Sequence, residues 1–425
     1  MTQKQSNPWL IILLLIFAGE MIFSLPFHIT RYFRPTLLEV FSLSNAQLGD
    51  IFAVYGLVAM LAYFPGGALA DRFSAKNLIT VSLLATAAGG FVFANISGMQ
   101  WLMFLYGFWG LTTILLFWAA LIKATREWGG VEKQGLAFGI MDGGRGLVSA
   151  LVASAAVIVF AYYMPTENIT ASARLHAIQM VVYFYSIVTA LAAAFIYWHL
   201  PDDHYQQAPT SPVMLGVKQV LKQRTIWLKA VIIICAYCGF KGVDNYSLYA
   251  VKVMQFNEVD AAFFSSVIAY SRPFAAIAAG LLADRFHASS TILFSFVLLT
   301  VGYLILSFIS PSDSILLLVY CNLIVTLVAV YGIRGIYFAL VQESQVHKHY
   351  TGTAVGIISV VGFTPDIFFA PISGRILDAA PGLEGFQNYF LLLTCFSVIG
   401  IIATWLFARY NTQSTVSRGI SNQST

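Results

Sequence analysis

Eight residues, Gly66-Gly67-Ala68-Leu69-Ala70-Asp71-Arg72-Phe73, return later in the chain as Ala279-Gly280-Leu281-Leu282-Ala283-Asp284-Arg285-Phe286. Six of the eight positions are identical, at an offset of 213 that is close to half of the 425 residues. Each copy closes one long apolar run and precedes another. A charged turn repeated at half-length between hydrophobic runs marks a duplicated membrane protein. A second echo agrees with it. Gly135 and Gly139 recur as Gly352 and Gly356, at an offset of 217. This spacing puts both glycines of a pair on one helix face and predicts close helix contact there.

Composition fits that reading. Only 10% of residues are charged, 59% are hydrophobic and the mean hydropathy is +0.78, whereas soluble domains carry about 25% charged residues. Lipid is the solvent that suits such a chain along its whole length. A span takes roughly 20 apolar residues, and twelve are expected, at 9–38, 46–70, 77–97, 100–124, 135–162, 174–199, 226–254, 258–283, 289–309, 314–341, 352–378 and 387–409. The predicted fold is an all-α membrane protein, twelve transmembrane helices in two pseudo-symmetric six-helix bundles. Residues 1–199 form the first bundle and 226–410 the second. Residues 200–225 are a cytoplasmic linker whose Val213 to Lys222 stretch reads as a short interfacial helix. The Ser/Thr/Asn/Gln-rich residues 411–425 are expected to be a disordered tail.

The first apolar run, Trp9 to Phe27, is read as a retained helix, because no small-residue cleavage site follows it. Lys and Arg set the orientation. One set of loops carries Arg72, Lys76, Arg126, Lys133, Lys218, Lys222, Arg224, Lys229, Arg285, Lys348 and Arg409, the other mainly Arg174, Lys252 and Arg375. The richer set faces the cytoplasm, so both termini are expected there and the protein in the cell (inner) membrane. Pro35, Pro273, Pro365 and Pro371 lie within spans and predict kinks or broken helices.

Composition and motifs also exclude function classes. A net charge of +4 makes no case for nucleic acid. Cys235 and Cys238 form a CxxC with no second pair or histidine cluster, and read as apolar filler. No metal-ligand pair, Ser/Lys dyad or pair of catalytic carboxylates emerges, so no enzyme, no metal and no cofactor are expected.

Ionisable residues deep in a span cost about 2.5–3.5 kcal/mol on insertion scales, and they tend to face a cavity, a partner or a substrate. The first span holds Glu20, His28, Arg31 and Arg34, the seventh Lys241 and Asp244. At the repeat offset of 213, Lys241 corresponds to His28 and Asp244 to Arg31. The fifth span contains Asp142-Gly143-Gly144-Arg145-Gly146, the eighth Arg272 before Pro273, the tenth Arg334 between Gly332 and Gly335, the eleventh Asp366 after Pro365. Basic groups at depth outnumber acids, which favours an anion, and arginine matches carboxylate or phosphate with two parallel hydrogen bonds. Arg31, Lys241, His28, Arg145 and Arg334 are the candidate substrate contacts. Glu20, Asp142, Asp244 and Asp366 are the candidate proton-coupling or charge-network residues. Structural readings stand beside these: Arg34 snorkelling to the interface, Arg145 pairing with Asp142 or Glu20, and Arg272 pairing with Asp244 or Glu343.

The repeated motif, Gly67-x-Leu69-Ala70-Asp71-Arg72-Phe73-x-x-Lys76 with its second copy Gly280 to Arg285, resembles the loop signature of the major facilitator superfamily. The resemblance covers the whole chain and implies alternating access by two rocking bundles. It differs at two points: Ser74 and His287 stand where the family has glycine, and no basic residue follows Arg285 at the expected distance. By this resemblance Gly67, Asp71, Arg72, Arg126, Gly280, Asp284 and Arg285 form conformational latches on the cytoplasmic side. A narrower resemblance is to the organophosphate:phosphate antiporters. It rests on the basic residues of spans one and seven and on Trp128-Gly129-Gly130-x5-Gly135. It implies an anion held between Arg31 and Lys241.

The expected function is a secondary transporter, symporter or antiporter, of a small organic anion, phosphorylated or sulfonated. Two alternatives stand beside it: a proton-coupled transporter of a neutral solute such as a sugar or nucleoside, and a non-transporting receptor on the same fold. The expected partners are the lipid bilayer, the substrate, and protons or a counter-anion, with the protein a monomer.

Overall fold

The computed structural model describes residues 7–130, 134–201, 221, 223–311, 315–340 and 351–421. Among these residues there are helices and turns and no strand. Twelve helices are long and apolar enough to cross a membrane. We label them α1 (Pro8–Tyr32), α2 (Asn45–Arg72), α3 (Ala75–Phe93), α4 (Met99–Gly129), α5 (Gln134–Tyr163), α6 (Ala171–His199), α7 (Arg224–Lys252), α8 (Glu258–Phe286), α9 (Ala288–Phe308), α10 (Leu316–Ile336), α11 (Gly356–Ala379) and α12 (Leu383–Ser421). The final helix continues to Ser421, past the Tyr410 boundary drawn from the sequence. The linker helix expected at 213–222 lies outside the described residues, apart from Leu221.

Helix starts follow local chemistry. Ser44 caps α2 through a reciprocal capping box with Gln47, Thr170 caps α6 and Asn257 caps α8. The two copies of the repeated turn differ here. Ser74, in place of the family's glycine, accepts a hydrogen bond from the Asn77 N–H at 3.2 Å and caps α3. His287 makes no side-chain cap and takes φ 73°, the left-handed backbone that glycine adopts without strain.

The spans are interrupted where the sequence weakens them. A π-helical turn, Ser24–His28, contains Pro26 within α1, and a second, Leu111–Trp118, lies in α4. The helix breaks again at Phe33 before Pro35, at Tyr270 before Pro273, and between Gly362 and Pro365. Three of the four expected proline sites therefore open a helical segment. Pro371 instead lies inside its helix.

The chain forms two compact units: Met1–Ala208 with Asp244–Pro273 and Asp366–Gly382, and Pro209–Val243 with Phe274–Pro365 and Leu383–Thr425. Unit 1 therefore holds α1 to α6, the adjoining ends of α7 and α8, and the later part of α11. Its core is built on Leu25, Ile29, Phe33, Phe52, Trp109, Phe160 and Tyr185, with a second cluster around Ile12, Leu15, Met21 and Phe117. Unit 2 packs Ile292, Phe296, Leu323, Leu327, Leu393 and Phe407 at or near zero exposure.

Gly139 and Gly356, the second members of the recurrent glycine pairs, do not make the close contact their spacing predicts, and the surroundings of Gly135 and Gly352 lie outside what is described. A Cβ added at Gly139 or Gly356 meets nothing within 4 Å. Spacing puts glycines on one face but supplies no neighbour for that face. The close crossing occurs elsewhere in unit 1, between α2 and α11. A Cβ on Gly49 would strike the Ala370 backbone, one on Gly56 would meet the Asp366 carbonyl at 2.6 Å, and one on Gly374 would strike the Asn45 backbone.

Candidate functional site

Glu20 is the centre of a buried cluster in unit 1. It lies on α1 at 3% exposure. His28 Nε2 is 3.1 Å from its Oε1, Arg145 Nε donates to its Oε2 at 3.2 Å, and Arg272 Nη1 lies 3.8 Å from Oε1. Arg272 also reaches Asp142 Oδ1 at 3.5 Å, and Ser149 Oγ is 3.1 Å from His28 Nε2. Helices α1, α5 and α8 thus supply one network. The glycine run of α5 makes room for it. A Cβ on Gly146 would meet the stem of Arg272 at 3.1 Å, and one on Gly144 would meet Ile16 at 2.7 Å. Gly19 on α1 does the same for Arg145, whose guanidinium lies over Phe23 at 5.4 Å and Trp118 at 5.9 Å.

Arg31 and Asp244 form a second buried pair, Nε to Oδ1 at 2.6 Å. These two are the positions that correspond under the 213-residue repeat, so the repeat equivalents meet each other. Ser247 Oγ donates to the Arg31 carbonyl at 2.7 Å and fastens the same turn. Arg34, three residues on, donates to Asn45 Oδ1 at 3.4 and 3.3 Å, near the start of α2.

The basic groups of unit 2 have other surroundings. The Arg334 guanidinium on α10 lies over the Phe240 ring at 3.8 Å and near Tyr237 at 5.9 Å. Its Nη1 is buried with no hydrogen-bond partner, and no ion pair to it occurs among the described residues. Lys241, next to Phe240 on α7, is 4% exposed. The carbonyl of Gly242 accepts the Tyr389 hydroxyl at 2.6 Å, which holds the end of this helical segment.

The residues of the two repeated turns are differently placed. Asp71, Arg72, Arg126, Asp284 and Arg285 are exposed and make no ion pair among the described residues; Arg285 lies over its neighbour Phe286 at 5.2 Å. A Cβ on Gly67 or Gly280 would meet open space. Asp366 stands in the first turn after the α11 break.

The far end of unit 1 is tightly joined. Arg375 on α11 grips Asp50 on α2 with two bonds, at 2.9 and 3.2 Å. Asp378 accepts from the Asn45 N–H and side-chain amide at 3.0 Å each and from the Ala46 N–H at 2.7 Å. Glu258 at the start of α8 accepts from Arg174 at 2.7 Å and from the Thr36 hydroxyl.

Sequence reasoning named Glu20, His28, Arg31, Arg145, Asp142 and Asp244 and offered Glu20 as a partner of Arg145, which the structure shows, but missed the pairing of Arg31 with Asp244 and of His28 with Glu20. It also missed Ser149 and Phe240. A serine one turn after Arg145 and an aromatic ring beside Lys241 carry no signal of their own in a chain so rich in both.

Comparison with known proteins adds the family. The Major Facilitator Superfamily profile matches residues 9–370. The inner membrane protein YihN of Escherichia coli (strain K12) is 25% identical over 415 residues, which is 94% of this chain and 95% of that protein. A probable nitrate transporter, NarT of Staphylococcus epidermidis, is 23% identical over 369 residues, 87% of this chain and 88% of that one. Among solved structures, a bacterial homolog of the human lysosomal transporter Spinster, inward-facing and unoccupied, superposes with a TM-score of 0.76 at 14% identity, over 97% of this chain and 99% of that one. The nucleoside transporter NupG superposes at 0.71 and 15%, over 95% and 100%.

Proposed function

This chain belongs to the Major Facilitator Superfamily and is an integral, multi-pass secondary transporter, and we propose that its cargo is a small organic anion. The observation that carries the proposal is Arg334. Its guanidinium is held by an aromatic face instead of a carboxylate, and its Nη1 is buried without a hydrogen-bond partner. A cation–π contact orients a guanidinium and leaves its planar donors for a ligand. Lys241 follows Phe240 directly and adds a second positive charge on the neighbouring helix α7. The arginines of unit 1 are less suited to first contact. Arg31, Arg145 and Arg272 each already face a carboxylate. For Arg31 to hold substrate, Asp244 must give it up. The relative named for nitrate, itself an anion, supports the class.

A second reading has its own observation. The Glu20 cluster is nearly self-neutralising, which suits a network that carries a proton beside an uncharged cargo. The fold likeness to a nucleoside transporter goes with that reading. Both readings use alternating access, with the termini on the cytoplasmic side. Asp71 and Asp284 then act as latches toward helix N-termini in the state where that side is shut.

Uptake into proteoliposomes separates the two. Labelled nitrate, glycerol 3-phosphate and glucuronate are the anionic probes, and uridine the neutral one. Arg334→Gln and Lys241→Gln are expected each to lower anion uptake at least ten-fold. Uridine uptake that survives both substitutions, with no anion uptake by the unmodified protein, overturns the anion assignment.

A further inference from the structure

We propose that the anion met by Arg334 is borne on a flat aromatic ring, and that this ring lies against Tyr237 and Phe363 while the charged group takes the guanidinium. The proposal rests on the anion reading above and names the body that carries the charge.

The residues concerned all lie within unit 2, on α7, α10 and the first segment of α11. Gly362 lets α11 close on α7: a Cβ there would meet the Ile233 side chain at 2.5 Å. The helix breaks after that glycine, and the next residue, Phe363, reaches Tyr237 of α7 with ring centroids 5.0 Å apart. One turn further along α7, Phe240 stacks with Tyr237 at 5.8 Å and meets Tyr331 of α10 edge-on at 6.3 Å. Phe363, Tyr237, Phe240 and Tyr331 thus make one continuous wall. Arg334, one turn after Tyr331, lays its guanidinium on that wall, 3.8 Å from Phe240 and 5.9 Å from Tyr237. Elsewhere on α10, Gly332 and Gly335 pack against Ala279 and Ala276 of α8, which leaves the arginine its own side of the helix.

The wall stands at membrane depth. Phe240 lies just past the middle of the 29-residue α7. A guanidinium turned to lipid tails there is costly, so its open side borders a cavity instead. Arg334 is only half-buried, and so are Tyr237 and Phe363, whereas Phe240 and Tyr331 are buried. The cavity is therefore bordered by two unlike surfaces side by side. One is a charge whose Nη1 has no hydrogen-bond partner. The other is exposed aromatic surface contiguous with it. Core packing accounts for Phe240 and Tyr331. It does not account for two further rings that stay half-exposed beside an arginine at this depth.

Such a pair of surfaces discriminates among anions. An inorganic anion uses the guanidinium alone and leaves the rings wetted. An anion on a hydroxylated chain has to give up water to ring faces that return no strong hydrogen bond. A flat aromatic body sheds only apolar hydration, and it gains the offset or edge-on contact that aromatic pairs prefer. Each such ring contact is worth roughly a two- to twelve-fold factor in affinity. The charge then fixes one end of the cargo and the wall fixes its plane.

Sulfonates serve as the probes, because they stay ionised and do not cross a bilayer as neutral acids. Benzenesulfonate, cyclohexanesulfonate and propanesulfonate share one charged group and differ in its body, which is a flat ring, a puckered ring or a chain. The full chain in lipid nanodiscs is expected to bind benzenesulfonate at least about five-fold more tightly than cyclohexanesulfonate in equilibrium dialysis. Proteoliposomes are expected to show the same order of uptake. Phe363→Leu is expected to bring that preference below about two-fold and to leave propanesulfonate binding as it was, which also reports that the variant is folded. Tyr237→Leu is expected to shrink the preference as well. Arg334→Gln is expected to weaken all three probes at least about ten-fold. A preference below about five-fold in the unmodified protein, or one that survives both ring substitutions, overturns the aromatic assignment and leaves the anion reading standing. Uptake of nitrate or glycerol 3-phosphate with no sulfonate bound does the same. Benzenesulfonate binding that survives Arg334→Gln removes the charged end of the site and overturns the proposal. If no anion is bound or carried while uridine is, both readings fall together.

Discussion

Arg145 and Arg334 are both arginines within apolar helices, yet their surroundings are opposite. Arg145 meets the Glu20 carboxylate at 3.2 Å inside a network of six polar side chains drawn from three helices. Arg334 rests on the Phe240 ring at 3.8 Å and faces no carboxylate among the described residues. A buried ion pair has already spent its attraction on its partner, and breaking it leaves a charge stranded. A stacked guanidinium is held more weakly, by about 0.5–2 kcal/mol, and keeps its edge available. The same residue type therefore meets a carboxylate in unit 1 and an aromatic face in unit 2, and only the second leaves its donors open to the anion proposed above.

The largest expected effect falls on the carboxylate pair. Arg145→Met strands part of the Glu20 charge and is expected to cost about 3–5 kcal/mol, read as a drop in the thermal unfolding midpoint in detergent. An unchanged midpoint would mean the pairing in unit 1 holds nothing together, and the contrast with Arg334 would collapse. Arg334→Gln should do the reverse, with unfolding altered by less than about 1 kcal/mol while anion uptake drops at least ten-fold. Arg334→Lys sharpens the point, because it keeps the charge and loses the planar fork; an intermediate loss of uptake is expected. Phe240→Leu removes the stacking face alone. It should raise the KM for the transported anion by roughly two- to thirty-fold, the equivalent of the cation–π range, with little change in the maximal rate. The smallest effect is expected at Arg375→Gln. Its pair with Asp50 is exposed, with side chains at 57% and 33%, so its loss should cost no more than about 1 kcal/mol and vanish at high salt.

The fold was legible because hydropathy and the repeated turn are properties of sequence alone. Twelve spans follow from where apolar runs begin and end. The site was legible only as a set of residue types. His28 and Arg31, three residues apart, should share a helix face, yet one turns to Glu20 and the other to Asp244. The π-helical turn at Ser24–His28 lies between Glu20 and His28 and accounts for the first of these contacts. On a regular helix of 3.6 residues per turn, eight residues carry a side chain about 80° past two full turns, so His28 would miss Glu20. The wider i→i+5 turn winds less per residue and brings the imidazole back over the carboxylate. Nothing in Ser24-Leu25-Pro26-Phe27-His28 beyond the proline announces that turn. The α2–α11 crossing was hidden for another reason. Gly49, Gly56 and Gly374 matter through what lies opposite them, and a neighbour hundreds of residues away leaves no local mark.

The start of α2 carries two sets of partners for its free amides. Ser44 and Gln47 serve one another within the helix, while Asp378 serves Asn45 and Ala46 from α11. The first set stays if α11 withdraws. The second set faces solvent, so water can replace a departing carboxylate at little loss. Separation at this end would therefore leave a helix that does not fray and a carboxylate that is at once rehydrated. The polar contacts of this joint can therefore be exchanged for water without undoing the start of α2.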